Sequence, residues 1–126
     1  MVQADISQLH AETAEWRQIL RNYRDDFQVC KKLLQQNVRQ TFTKDQMQDV
    51  EHYHNQFHIQ LINIHDLKQQ IKVNERKIQS ELFQSEHVNE KTYAEHEQLL
   101  DQFLTLESTL QELRSQFDQF INATNC

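Results

Sequence analysis

Histidine side chains are the residues of this chain best suited to chemistry. His54 and His58 are spaced i, i+4, which places both imidazoles on one face of a helix. Two neutral imidazoles one turn apart can bind the same divalent metal ion. Glu51 and His65 fall near this face, and Glu51 with His54 has the ExxH spacing of di-iron carboxylate bundles. No second ExxH occurs in the sequence, so a di-iron site is not supported.

A cysteine extends the metal hypothesis. If the helices of this chain pack antiparallel, Cys30 falls level with His54, and Cys126 lies at the same end of the bundle. Mixed cysteine and histidine ligands are typical of zinc. The same residues are explained without a metal if Cys30 is a small buried apolar side chain and the histidines are partly solvated. We therefore expect no cofactor, and a zinc site at His54, His58 and Cys30 is the alternative.

Two histidines also suggest a response to pH. His54 and His96 occupy positions that face neighbouring helices in the apolar pattern. Histidine gains its charge between about pH 5 and 8, and burying that charge is costly unless a carboxylate lies nearby. A pH-responsive coiled coil is therefore a third hypothesis for this chain.

Other catalytic patterns are missing from the sequence. The chain contains no glycine, so it has neither a GxSxG nucleophile elbow nor a glycine-rich phosphate-binding loop. Neither cysteine sits in a pattern typical of an activated nucleophile. We therefore predict that the protein is not an enzyme, and we assign no catalytic residue.

The absence of both glycine and proline from all 126 residues predicts the elements that position these side chains. An ordinary chain of this length would contain about 15 of them. Glycine supplies turn conformations and proline interrupts helices, so we predict an all-α protein of long helices. Apolar residues at steps of three and four predict helices over about 3–40, 43–84 and 89–123.

The apolar faces of these helices have heptad spacing, like those of coiled coils. Matched helices with short connections pack antiparallel, so we predict one domain over 1–126, an elongated antiparallel three-helix bundle. The heptad spacing also continues through 84–91 without a change of phase. The alternative is therefore a dimerised helical hairpin in which one continuous helix runs from 43 to 123.

The two predicted connections differ in how clearly they are marked. Thr43 and Gln46 have the spacing of a capping box, and Phe42 and Met47 fall at the positions of a hydrophobic staple. The second connection lies near 84–91, where several residues have the right chemistry for a helix N-cap. These candidates are Ser85, Asn89 and Thr92, the last with Glu95 as a second capping box.

Several residues are predicted to hold the helices together. Trp16 lies on the apolar face of the first helix and is predicted to anchor the core. Lys68 lies on the apolar face of the second helix, and the predicted register places it level with Glu15 and Glu107. Such a polar residue with partners can define register. A basic flank predicted to face the acidic third helix consists of Arg17, Arg24 and Lys31.

Charge and hydropathy limit the classes of partner. The net charge is −6, and an acidic chain without a basic stripe is poorly suited to nucleic acid. No apolar run approaches the length of a membrane span, and the N-terminus lacks the pattern of a secretory signal. We therefore predict a small, soluble, cytoplasmic protein-interaction or assembly module that binds a protein partner or a second copy of itself.

Overall fold

The computed structural model describes residues 2–37, 43–85 and 88–124, with the side chains of 8–36, 43–84 and 88–123. These residues form three helices, α1 (Val2–Asn37), α2 (Lys44–Ser85) and α3 (Glu90–Thr124). The all-α prediction is confirmed, and the predicted bounds of the second and third helices differ from the observed ones by one residue. Residues 88 and 89 are not helical, so the alternative of one continuous helix from 43 to 123 is wrong.

Side-chain contacts define the directions of the three helices. Along α2, residue numbers fall as those of α1 and α3 rise, so α2 is antiparallel to both other helices. In the contacts between α1 and α3, the residue numbers of both helices rise together, so these two helices are parallel. The contacts are Arg17–Glu75 and Lys31–His58 between α1 and α2, Lys77–Glu95 and Tyr53–Gln116 between α2 and α3, and Glu12–His96 and Asp26–Arg114 between α1 and α3.

The core is a cluster of apolar side chains from all three helices. Its buried members recur every three or four residues, so each helix presents one continuous apolar face to the others. At one end the ring of Phe57 packs edge-to-face on Phe27, at a centroid distance of 4.8 Å, and on Phe117 at 4.9 Å. Burying each phenylalanine contributes roughly 1.5–3 kcal/mol. At the other end Trp16 stacks on Phe103 in the core.

Both bonds of the predicted capping box are present at the start of α2. The backbone N–H of Thr43 donates to Oε1 of Gln46 at 2.9 Å, and the backbone N–H of Gln46 donates to the Thr43 hydroxyl at 3.2 Å. Two donors of the first turn are therefore satisfied by side chains. Phe42 of the predicted staple lies outside the described residues.

Asn89 is the N-cap of α3. Its Oδ1 accepts a hydrogen bond from the backbone N–H of Lys91 at 2.9 Å. The backbone N–H of Asn89 donates to Oε1 of Glu81 at 2.6 Å, and the buried hydroxyl of Thr92 donates to the other Glu81 oxygen. A carboxylate near the end of α2 thus takes the place of the glutamate of a capping box.

The predicted box of Thr92 with Glu95 is wrong. Thr92 lies inside the first turn of α3, and its hydroxyl is used by Glu81. Glu95 reaches across to α2 instead, where it accepts hydrogen bonds from Lys77 at 2.9 and 3.1 Å. The α2–α3 connection therefore depends on contacts between helices, which local spacing does not reveal.

Removal of either cap is expected to destabilise the fold. Thr43→Ala and Asn89→Ala should each lower the free energy of unfolding by about 0.5–2 kcal/mol, because each leaves a backbone donor without its side-chain acceptor. Urea unfolding followed by circular dichroism would measure the change. Ser108→Ala, at an exposed position within α3, is the matched control. An Asn89→Ala variant that loses no more stability than Ser108→Ala would show that Asn89 does not cap α3.

Candidate functional site

Cys30 is a buried, protonated thiol. Its side chain is 1% exposed, and its Sγ accepts a hydrogen bond from Nη1 of Arg114 at 2.9 Å. Burial raises the pKa of the thiol to about 11, against the opposing effect of the nearby Arg114 charge. Metals bind the thiolate, so this environment favours the thiol over the form that a metal site requires.

Among the described residues, the two histidines of the metal hypothesis are not grouped with further metal ligands. His54 is half-buried beside Leu34 and Val50 at the rim between α1 and α2. His58 is exposed, with its Nδ1 3.5 Å from Nζ of Lys31. Among the described residues, no three histidine, cysteine or acidic side chains are grouped to hold a metal ion. Cys126 lies outside these residues, and metal binding stays a prediction.

A group of polar side chains, which we call the polar layer, lies at the other end of the bundle around His96. Its members are Glu12, Thr13 and Arg17 of α1, Asn74 and Glu75 of α2, and His96 of α3. His96 is fully buried, and its Nε2 lies 3.0 Å from Oε2 of Glu12 on α1. The imidazole stacks on the ring of Trp16 at a centroid distance of 4.9 Å. Its Nδ1 is buried and has no hydrogen-bond partner among the described residues. A neutral His96 therefore donates from Nε2 to the Glu12 carboxylate.

Asn74 adds a second buried polar side chain at a similar level of α2. It is 4% exposed, and neither atom of its amide has a hydrogen-bond partner among the described residues. Burying an unpaired amide costs roughly 1–3 kcal/mol. Beside it, Nε of Arg17 lies 2.8 Å from Oε1 of Glu75. This contact joins two charges across α1 and α2 but is not a well-directed hydrogen bond.

The centre of the polar layer is closed to solvent. The hydroxyl of Thr13, on α1 next to Glu12, donates a hydrogen bond to the backbone carbonyl of His10 at 3.0 Å. His96 itself has no exposed surface through which a substrate could reach it. The contact of His96 with Glu12 joins α3 to α1.

Lys68 does not have the neighbours that the predicted register assigned to it. Burial lowers the pKa of Lys68, as do the nearby charges of Arg24, Arg21 and Lys72, while Asp25 opposes them. Glu15 and Glu107 are not among these charged neighbours. Glu15 is exposed, and Glu107 faces α1 instead.

Tyr23 shows where Glu107 lies. Burial raises the pKa of Tyr23, a hydrogen bond with Gln111 opposes that change, and the charge of Glu107 raises it further.

The predicted pairing of the basic flank with α3 is also wrong. Arg17 pairs with Glu75 of α2, and Arg24 pairs with its neighbour Asp25 at 2.9 Å.

Sequence reasoning missed a second apolar pattern on the solvent side of α2. Four large apolar side chains lie there, and the exposed fractions are 45% for Ile59, 48% for Ile62, 60% for Val73 and 94% for Phe83. They belong to a set of exposed positions that recur at alternating steps of three and four. We call this set the outer stripe: Ile59, Ile62, Asp66, Gln69, Val73, Arg76, Ser80 and Phe83.

The outer stripe lies opposite the buried face of α2. At 3.6 residues per turn, Ile59 and Ile62 project away from Phe57 and Ile64, which are fully buried. The signal was present in the sequence as a second set of three- and four-residue steps. Four polar residues interrupt it, so the denser inner pattern conceals it.

No protein-family model, curated protein or solved structure matches this chain. None of the three helices, over the residues described, has an apolar stretch long enough to cross a membrane. Function is therefore inferred from two features of the molecule, the polar layer inside the bundle and the outer stripe on its surface.

The raised pKa of Cys30 is expected to make the fold sensitive to alkali. The ordinary pKa of the thiol is 9.0 and the folded value is about 11. Between these values the unfolded chain has lost a proton that the folded chain retains, so stability that is complete below pH 9 falls as the pH rises towards 11. Cys30→Ala removes this effect.

Unfolding in urea at pH 8.5 and pH 11 would measure the difference. Wild-type protein should lose roughly 1–3 kcal/mol more stability over this interval than Cys30→Ala. Other groups titrate in both proteins and cancel in the comparison. Equal losses in the two proteins would contradict the burial effect on Cys30.

Proposed function

We propose that this protein is a non-enzymatic interaction module that binds an amphipathic helix of a protein partner through the outer stripe of α2. The observation that carries this proposal is the exposure of Ile59, Ile62, Val73 and Phe83 on one face of one helix. Single exposed apolar residues are ordinary on protein surfaces, but a row of them is typical of a binding surface.

The spacing of the stripe favours a helical partner. Steps of three and four residues place side chains where a second helix can interdigitate with them. The 42 residues of α2 make it the longest of the three helices, and it contacts both of the others through its inner face. Its outer face is therefore a long surface on which a partner helix can lie.

The chemistry of the interior supports a role in binding over a role in catalysis. Two groups of the interior with reactive potential, the Cys30 thiol and the His96 imidazole, are both buried. Cys30 is a protonated thiol at neutral pH, and Nε2 of His96 is in contact with the Glu12 carboxylate. Exposed polar side chains around the stripe provide the solvated rim that protein interfaces have.

Photo-crosslinking from the stripe would test this proposal. A photoreactive benzoyl-phenylalanine at position 62 or 73, in cells that express the chain, should form a covalent adduct with a protein partner. The same probe at position 108, on the exposed face of α3, is the control. Adducts from 62 and 73 that are no more abundant than those from 108 would rule out the outer stripe as a binding surface.

A second candidate function is a response to pH, and the contact of His96 with Glu12 favours it. A buried imidazole beside a carboxylate can accept a proton and keep its charge paired. The charged group in contact with the imidazole is the Glu12 carboxylate of α1.

Glu12→Gln tests the role of this pair. The substitution turns a charge-assisted hydrogen bond into a neutral one, so the variant should lose about 1 kcal/mol of its free energy of unfolding. Glu97→Gln, at an exposed position next to His96, is the control, and urea unfolding at pH 7.5 is the measurement. Equal losses in the two variants would show that the Glu12 carboxylate does not stabilise its contact with His96. Unchanged helicity and mass of wild-type protein from pH 5 to 8 would exclude a pH-responsive function.

A further inference from the structure

We infer that the outer stripe of α2 binds the same stripe of a second copy of this chain, with the two helices antiparallel. This inference rests on the proposed function, because it names the partner of the same surface. It follows from the order of residue types along the stripe, which is complementary to itself when one copy is reversed.

The two charged residues of the stripe provide the first argument. Asp66 and Arg76 are both exposed, and neither forms an ion pair among the described residues. They lie ten positions apart, roughly 15 Å along the helix, so they cannot reach one another within one chain. In an antiparallel pair of stripes, Asp66 of each copy meets Arg76 of the other, and two-fold symmetry produces this contact twice.

The apolar residues fit the same alignment. With Asp66 opposite Arg76, Ile59 of one copy meets Phe83 of the other, so the most exposed ring of the stripe is covered. The remaining pairs join an apolar side chain to an uncharged polar one, Val73 to the apolar part of Gln69 and Ile62 to the small Ser80. If the stripe is labelled as alternating a and d positions of a heptad, with Ile59 at a, each a position of one copy faces a d position of the other. This pairing lets antiparallel helices interdigitate.

A parallel pairing of two copies lacks this complementarity. In register, it places Asp66 against Asp66 and Arg76 against Arg76, and like charges across an interface are costly. His58, His65 and Lys72 on one flank include no acid in either direction, so the flank does not offset that cost. The direction of the pair is therefore set by Asp66 and Arg76.

Charge reversal on the stripe tests the inference. Sedimentation of the wild-type chain at several concentrations should show an equilibrium of monomer and dimer. Asp66→Arg alone and Arg76→Asp alone should each weaken the dimer at least about 10-fold, because both contacts then join like charges. All substituted positions are exposed, and circular dichroism would show that the variants keep their helices. Asp101→Arg, on the exposed surface of α3, is the matched control and should dimerise like wild type.

Two further arms identify the direction of the helices. A mixture of the two single variants should form a mixed dimer, because each introduced charge then meets its opposite. The double variant Asp66→Arg/Arg76→Asp should dimerise by itself, as wild type does. A parallel pair would also form in the mixture, but wild type and the double variant would dimerise no better than the single variants. That result would overturn the antiparallel arrangement.

The remaining outcomes separate this inference from the proposed function. A wild-type chain that stays monomeric at all concentrations, while probes at 62 and 73 still crosslink to a different protein, overturns self-association and leaves the binding surface intact. A dimer that is unaffected by charge reversal places the contact elsewhere and overturns this interface. Loss of crosslinking at 62 and 73, compared with the control position, overturns both.

Discussion

Phe57 is the side chain on which the arrangement of the helices depends. Its ring packs edge-to-face on Phe27 of α1 and on Phe117 of α3, so one residue of α2 touches both other helices. This contact belongs to the core cluster, which buries the densest apolar face of α2 against both other helices. Ile59 and Ile62 lie on the side of α2 opposite Phe57, so they are exposed to solvent. The exposure of the outer stripe is therefore a consequence of how the core is closed.

The polar layer at the other end has a different role from the aromatic contact. Apolar faces with heptad spacing tolerate a shift of one helix past another by seven residues, since the same faces stay buried. Such a shift of α3 against α1 would separate His96 from Glu12 and leave a buried imidazole without its partner. Polar residues that cost stability thus restrict the number of alignments the helices can adopt.

The absence of glycine and proline links the connections to the packing. The chain has no glycine to end a helix in a left-handed conformation, and side-chain hydrogen bonds cap the described starts of α2 and α3. At α2 these bonds are local, between Thr43 and Gln46. At α3 the carboxylate of Glu81 reaches from the preceding helix. The cap of α3 therefore includes a side chain of α2.

Residue types and local spacing by themselves determined the helices, the capping box at Thr43 and the burial of Trp16. These features depend on neighbours three or four residues apart, which the sequence contains in full. Only the tertiary structure decided which distant side chains meet, so the neighbours of Lys68, the pairing of Arg17 with Glu75 and the place of Glu12 beside His96 were not predicted. The physical reason is that a heptad pattern repeats. It defines which face of a helix is buried, but several alignments along the helix axis bury that face equally well, and long charged side chains find their partners only after one alignment is chosen.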